Sequence, residues 1–308
     1  MKKLFILVLF LCIPHIVIGA TKYEYYNTGY TTDNYIYGDT HLIGQTFKPQ
    51  TSHKITSIKV YIKKTGSPGA SEWCIRPTSG GKPSGNSIAS GSLAADSIGA
   101  SYGWVEVSLG TGGNLIGGTL YSITGYAPFG DTNNWISWGS DASSPTYNNG
   151  TLVTSDGSTW TIDDTADALF EEWGDPVIPL VTTQAATNVL KTTATGHGTI
   201  TDIGGANCTR RGFCYKVGTS GDPTTANSVA YDDGTFGTGA YTKAITGLTA
   251  GTGYRVRAYA VNSAGTGYGT TVQITTLSNP NISTHFKNKD GTIVRANKDG
   301  LPVKIWGH

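Results

Sequence analysis

From Thr21 onward apolar side chains recur at every second position, in short runs. Ile58, Val60 and Ile62 alternate with Lys59, Tyr61 and Lys63, and Val105, Val107 and Leu109 alternate with Trp104, Glu106 and Ser108. Successive side chains of a strand point to opposite faces, so each run predicts an extended segment with one face buried. Between the runs lie Gly66-Ser67-Pro68-Gly69, Gly80-Gly81-Lys82-Pro83-Ser84-Gly85 and Gly110-Thr111-Gly112-Gly113-Asn114. Their Gly, Pro and Asn residues supply the backbone angles that tight turns require. No stretch of ten or more residues carries a helical period. Many short alternating runs broken by turns predict an all-β chain of the sandwich or jelly-roll kind.

The punctuation of this pattern divides the chain. Residues 1–20 combine Lys2 and Lys3, an unbroken apolar run from Leu4 to Leu11 and the small-residue end Ile18-Gly19-Ala20, the make-up of a secretory signal peptide. Pro14 and His15 leave that apolar segment too short to span a bilayer, and no later stretch is long or apolar enough to do so. A first domain is expected over 21–175, ending at Gly174-Asp175-Pro176, and a second over 176–277. Ser278-Asn279-Pro280 opens a tail, 278–308, in which Asn-Lys-Asp-Gly occurs twice between short extended runs. Asp-Gly between such runs is a hairpin signal, so the tail predicts a three-stranded β-meander.

Two resemblances cover nearly all of the chain beyond the signal peptide. The first domain contains, in order, Gly44-Gln45-Thr46-Phe47-Lys48-Pro49, Ile58-Lys59-Val60-Tyr61, Gly80-Gly81-Lys82-Pro83-Ser84-Gly85, Trp104-Val105-Glu106-Val107, Gly118-Thr119-Leu120-Tyr121-Ser122-Ile123, Ser155-Asp156-Gly157-Ser158-Thr159-Trp160 and Asp167-Ala168-Leu169-Phe170. This set resembles the choice-of-anchor jelly-roll domains of secreted bacterial and phage-associated proteins, which implies an architecture and an extracellular setting more than an activity. The second domain contains Thr209-Arg210-Arg211-Gly212-Phe213-Cys214-Tyr215, the run from Gly247 to Tyr254, and the run from Arg257 to Gly265. It resembles a fibronectin type III-like domain. That resemblance implies a second β-sandwich with a tyrosine corner made by Leu248 and Tyr254, in which the ring packs while its hydroxyl bonds to nearby backbone. No Trp occurs between 177 and 277, so Phe213 or Tyr215 is expected to replace the core Trp common in such domains.

Composition narrows the function. Without Lys2 and Lys3 the chain carries 20 basic and 21 acidic residues, which offers neither a basic nucleic-acid face nor a polybasic membrane patch. Low charge, 14%, beside 42 Gly, 7 Trp and 17 Tyr suits a turn-rich extracellular β protein and not a disordered one. Cys74, Cys208 and Cys214 remain after the signal peptide, an odd number. In one straight strand Cys208 and Cys214 would stand about 20 Å apart, beyond disulfide reach. A hairpin between them would permit pairing; buried free thiols are the expected state.

No catalytic constellation assembles from the sequence. Gly99-Ala100-Ser101-Tyr102-Gly103 has nucleophile-elbow spacing, yet a strand instead of a helix follows it, so Ser101 reads as a turn residue. His41, His53, His197, His285 and His308 are scattered among polar neighbours and read as surface or turn residues. Asp163-Asp164 and Glu171-Glu172 are adjacent pairs whose members point to opposite faces of a strand, and so make no facing acid and base. The chain is expected not to be an enzyme.

Aromatic residues give a better-supported function. In Trp135-Ile136-Ser137-Trp138 the alternation turns Ile136 and Trp138 inward and Trp135 and Ser137 outward; the same parity turns Trp104 and Tyr61 outward. Flat rings with polar handles stack on sugars, so Trp104, Trp135 and Tyr61 form a candidate aromatic platform for a glycan or cell-surface polymer. Asp131 and Asp141, with Asn133, flank Trp135 and are candidate ligands for a structural calcium ion; no other cofactor is expected. The leading expectation is a secreted, non-catalytic adhesion or carbohydrate-binding-like protein that recognises its ligand through the first domain. Two alternatives are a virion, tail-associated or cell-envelope assembly protein that engages a partner protein through its tail, and an accessory module of a polysaccharide-degrading system.

Overall fold

The computed structural model describes residues 20–279 and, beyond them, the backbone of three short strands. The expected signal peptide therefore lies, but for Ala20, outside the described residues. The chain divides into two compact units, the first running to Val177 and including Gly204–Ala206, the second beginning at Ile178 and excluding those three residues. No α-helix occurs among the described residues; a single 3-10 turn, Ala95–Ser97, interrupts the strands.

The first unit contains β1 (Thr21–Tyr26), β2 (Thr32–Ile36), β3 (Gly38–Phe47), β4 (His53–Thr65), β5 (Ser71–Ser79), β6 (Lys82–Pro83) and β7 (Ala89–Leu93). It continues with β8 (Gly103–Leu115), β9 (Tyr121–Ala127), β10 (Trp135–Asp141), β11 (Leu152–Ser155), β12 (Trp160–Asp163), β13 (Asp167–Ala168) and β14 (Phe170–Pro176). One sheet runs β1-β14-β4-β10-β13, with β2 paired to β10 and β8 to β4. The other runs β12-β11-β3-β9-β5-β6, with β7 paired to β5. Their inner faces share one core. Trp73 of β5 crosses Trp138 of β10 edge to face at 5.1 Å, and Phe47 of β3 packs on Phe170 of β14 at 5.9 Å. Both contacts join one sheet to the other, and the rings are fully buried. Truncating either Trp to Ala would cost about 3–5 kcal/mol.

Alternation positions this core as the sequence predicts. Ile58, Val60 and Ile62 of β4 and Val107 and Leu109 of β8 are buried, while Lys59, Tyr61, Glu106 and Ser108 share the outer face. The register of β4 on β8 shifts between Ile55 and Ser57. This β-bulge lets Ile55 and Ile58, an odd number of residues apart, both point inward.

The second unit is a three-on-four sandwich. Its strands are β15 (Leu180–Thr187), β16 (Thr193–Asp202), β17 (Cys208–Val217), β18 (Ser228–Phe236), β19 (Gly239–Thr246), β20 (Gly253–Asn262) and β21 (Gly265–Thr275). They form the sheets β15-β16-β19 and β18-β17-β20-β21. Phe213 is fully buried at its centre, and Tyr215 is only half-buried. Two glycines of β16 make room for the rings. A Cβ on Gly196 would lie 2.9 Å from Phe213 ring atoms, and one on Gly198 would lie 2.8 Å from the Tyr241 ring. The single hydroxyl proton of Tyr241 is in turn shared between the carbonyls of Gly212, at 3.2 Å, and Tyr259, at 3.0 Å.

Beyond residue 279, β22 (Phe286–Lys287), β23 (Ile293–Ala296) and β24 (Pro302–Val303) pair antiparallel in sequence order, the expected meander. Cys74, Cys208 and Cys214 are free thiols. Cys208 and Cys214 are buried, whereas Cys74 is half-buried because it sits on the outer face of β5.

Candidate functional site

The strand registers put Tyr61, Trp104 and Trp135 on one outer face of the first unit, in two clusters. Tyr61 of β4 stands opposite Trp104 of β8, with ring centroids 5.4 Å apart. Tyr102 stacks on Tyr61 at 5.0 Å, and Tyr30 packs on both rings. Gly139 permits this packing: a Cβ there would lie 2.9 Å from the Tyr30 ring and 3.1 Å from Tyr61. Asp33 of β2 fixes the cluster, accepting from the Tyr30 hydroxyl at 2.5 Å and the Tyr102 hydroxyl at 2.8 Å while pairing with Lys63 at 3.0 Å. Burial opposes the charge of Asp33, yet the two phenols and Lys63 hold its carboxyl below the usual range. Burial and the same carboxylate push the Tyr102 phenol well up. Tyr61 is thus scaffold, and Trp104, 39% exposed, is the outermost indole of the group.

Trp135 belongs to the second cluster. It pairs in register with Thr65, four residues along β4 from Tyr61, which sets it about 13 Å away along the strand. Its indole N–H donates to Ser137 Oγ at 3.2 Å, which helps explain why Ser137, although on the outward face, is fully buried. Tyr35 of β2, 47% exposed, meets Trp135 edge to face at 5.6 Å. With Tyr37 and Thr132 the two rings line a cavity of about 280 Å³. Tyr35 also lines a neighbouring groove of about 480 Å³ whose other residues include Asn34, His41, Thr154, Asp156, Thr159 and Thr161. Rings and a dense row of hydroxyl, amide and carboxylate groups therefore share one border residue. Tyr35 and Tyr37 read in sequence only as members of a tyrosine-rich stretch; the β2–β10 pairing is what brings Tyr35 to Trp135.

The structure does not bring the two proposed calcium ligands together. Asp131 lies in the turn before β10 and Asp141 is the last residue of that strand. Asp131 accepts the backbone N–H groups of Asn133 and Asn134. Asp141 accepts the Tyr26 hydroxyl at 2.8 Å and the backbone N–H groups of Ser143 and Ser144. Burial works against its ionisation, and these donors outweigh burial and take its pKa to about 2. Both carboxylates are spent on turn and strand geometry, and no metal-sized group of His, Cys, Asp and Glu occurs among the described residues.

The expectation of surface histidines fails at His53. Its ring and the Glu172 carboxylate are both 0% exposed and meet at 2.5 Å. His53 Nδ1 lies 2.9 Å from Thr51 O, and Tyr23 stacks on the ring at 3.7 Å. Glu171 and Glu172 do point to opposite faces: Glu171 bonds Lys22, Asn27 and the Trp173 indole on the outside. The buried member has a partner that sequence adjacency could not reveal. Ser101 is exposed in the loop before β8. In the second unit Leu248 and Tyr254 are buried, and the Tyr254 hydroxyl accepts the backbone N–H of Thr249 at 2.8 Å.

No family model and no curated protein matches the chain. Among solved structures it is similar to the sensor domain of the anti-sigma factor RsgI4 in Pseudobacteroides cellulosolvens, with 16% identity over 33% of this chain and 96% of that chain and a TM-score of 0.26. It is similar too to the fibronectin type-III domain of human fibronectin type III domain containing protein 3, with 19% identity over 35% and 93% of the two chains and a TM-score of 0.22. Against the FN1-FN3 domains of chicken CNTN1 the values are 11% identity, 82% and 68% coverage, and a TM-score of 0.27. At these scores the likenesses carry no argument about function, and the multi-domain β-sandwich architecture rests on the chain's own strand topology.

Proposed function

We propose that this is a secreted, non-catalytic protein whose first unit recognises carbohydrate. On this reading the first unit is a jelly roll of the choice-of-anchor kind, and the second is a fibronectin type III-like domain acting as a spacer. The three-on-four strand order and the Tyr254–Thr249 bond support the second assignment. Secretion is inferred from residues 1–20.

One observation carries the binding function: Tyr35 and Trp135 form an aromatic cavity that opens beside a hydroxyl-rich groove, with Tyr35 lining both. A sugar presents an apolar C–H face for the rings and hydroxyls for the polar groups, and the site offers both. Neither cavity is lined by Lys or Arg, so neutral sugars are the favoured class. Screening the purified protein on a glycan array, with W135A and Y35A as controls, tests this. Retention of neutral glycans by the wild type and its loss in both variants is the expected result. A folded wild type that retains no glycan beyond W135A removes the proposal.

A further inference from the structure

The sheet β12-β11-β3-β9-β5-β6, which also walls one side of the groove beside Tyr35, carries a second cleft that shares Leu42 with that groove. The outer row of β5 places Glu72, Cys74 and Arg76 along its floor, and the turn around Gly85 and the β12 residue Trp160 stand at its sides. The cleft encloses about 410 Å³.

Two of its side chains keep binding capacity in reserve: Arg76 has no carboxylate partner, and the Trp160 indole N–H has no acceptor, among the described residues. Arg76 is the only arginine before residue 177; every other cation there is a lysine. Its Nη1 donates to Gly85 O at 2.9 Å and the side chain also engages the Cys74 thiol, which together orient the guanidinium. No carboxylate among the described residues pairs with it. The arginines of the second unit differ: Arg210 faces Asp233, Arg255 and Arg257 face Asp222, and Arg211 lies over the Phe236 ring. A guanidinium is a planar fork matched to a carboxylate. The Trp160 indole, half-buried at the cleft, makes no hydrogen bond or ring contact among the described residues. Trp73, Trp135, Trp138 and Trp173 all spend their indole N–H within the fold.

We propose that this cleft binds an acidic saccharide, with a uronate ring stacked on Trp160 and its carboxylate held by the free edge of Arg76. Glu72 stands four residues from Arg76 on the same face of β5, about 13 Å along the strand. Its charge keeps the cleft near neutrality as a whole, which suits one carboxylate per ring and disfavours a dianionic phosphate. The assignment uses no residue of the Tyr35–Trp135 site, so either can fail without the other.

The test is calorimetric titration of the purified protein with a galacturonate oligomer, its fully methyl-esterified form and inorganic phosphate. The acid oligomer should bind and the ester should not. R76Q and W160A should each weaken binding by about ten- to hundredfold, the loss of a charge-assisted pair or a stacked ring. W135A should bind the acid oligomer as the wild type does. R76K, which keeps the charge and loses the fork, should fall between wild type and R76Q, and its unfolding transition controls for folding. Equal binding of ester and acid, competition by phosphate, wild-type binding by R76Q, loss of binding in W135A, or no uptake of the acid oligomer by folded wild type would each overturn the proposal.

Discussion

Replacing Glu172 by Ala should be among the most damaging single changes in the first unit, and Glu172→Gln should be far milder. His53 and Glu172 are fully buried and 2.5 Å apart. Thr51 O can only accept, so His53 Nδ1 carries a proton and donates it there. Nε2 must then either donate to a carboxylate or accept from a carboxylic acid. Burial pushes the Glu172 carboxyl up, against the pull of His53. E172A removes the partner whichever form holds, leaves Nε2 buried and unpaired, and opens a cavity. Breaking a buried pair from one side costs about 3–5 kcal/mol, which in a unit of this size lowers the melting temperature by about 10 °C. In E172Q the side-chain amide can still donate to a neutral imidazole, so the expected loss is about 1 kcal/mol.

Tryptophan fluorescence during urea unfolding of the whole protein is the appropriate assay. Six of the seven tryptophans precede residue 177 and none lies between 177 and 277, so the signal follows the first unit. If E172A unfolds within about 1 kcal/mol of the wild type, the pair is not a fully buried contact. If E172Q is as damaging as E172A, the amide does not replace the carboxyl.

Three further outcomes can be checked independently. Asp141, held near a pKa of about 2 against an ordinary 3.8, favours the folded state above about pH 4 and loses that contribution as the pH falls toward 2; D141N should flatten this limb of an acid-unfolding curve, and an unchanged limb would refute the assignment. Gly198→Ala sets a Cβ against the Tyr241 ring and should cost about 1–3 kcal/mol, read from the urea transition of the second unit's backbone amides followed by NMR; a neutral result would mean the ring can move aside. Tyr254→Phe removes the acceptor for the Thr249 N–H and should cost about 1 kcal/mol in the same transition, with no change meaning that water replaces the phenol.

How legible each part was follows from the range of the interaction behind it. Period-two alternation and turn residues are local, so they determined the all-β class, the inward sets on β4, β8 and β10 and the meander. They also placed Tyr61, Trp104 and Trp135 on an outer face, because parity along a strand survives any strand order. Parity says nothing about which strands become neighbours, and neighbours decided the rest. Pairing of β2 with β10 brought Tyr35 to Trp135, and pairing of β14 with β4 closed Glu172 onto His53. Asp131 and Asp141 are close in sequence, but the extended strand between them holds them apart and backbone donors consume both carboxylates. The cleft of Arg76 and Trp160 joins residues more than eighty positions apart. Such contacts depend on sheet order and hairpin paths, which the whole chain settles when its two hydrophobic faces close on each other, and no local pattern encodes them.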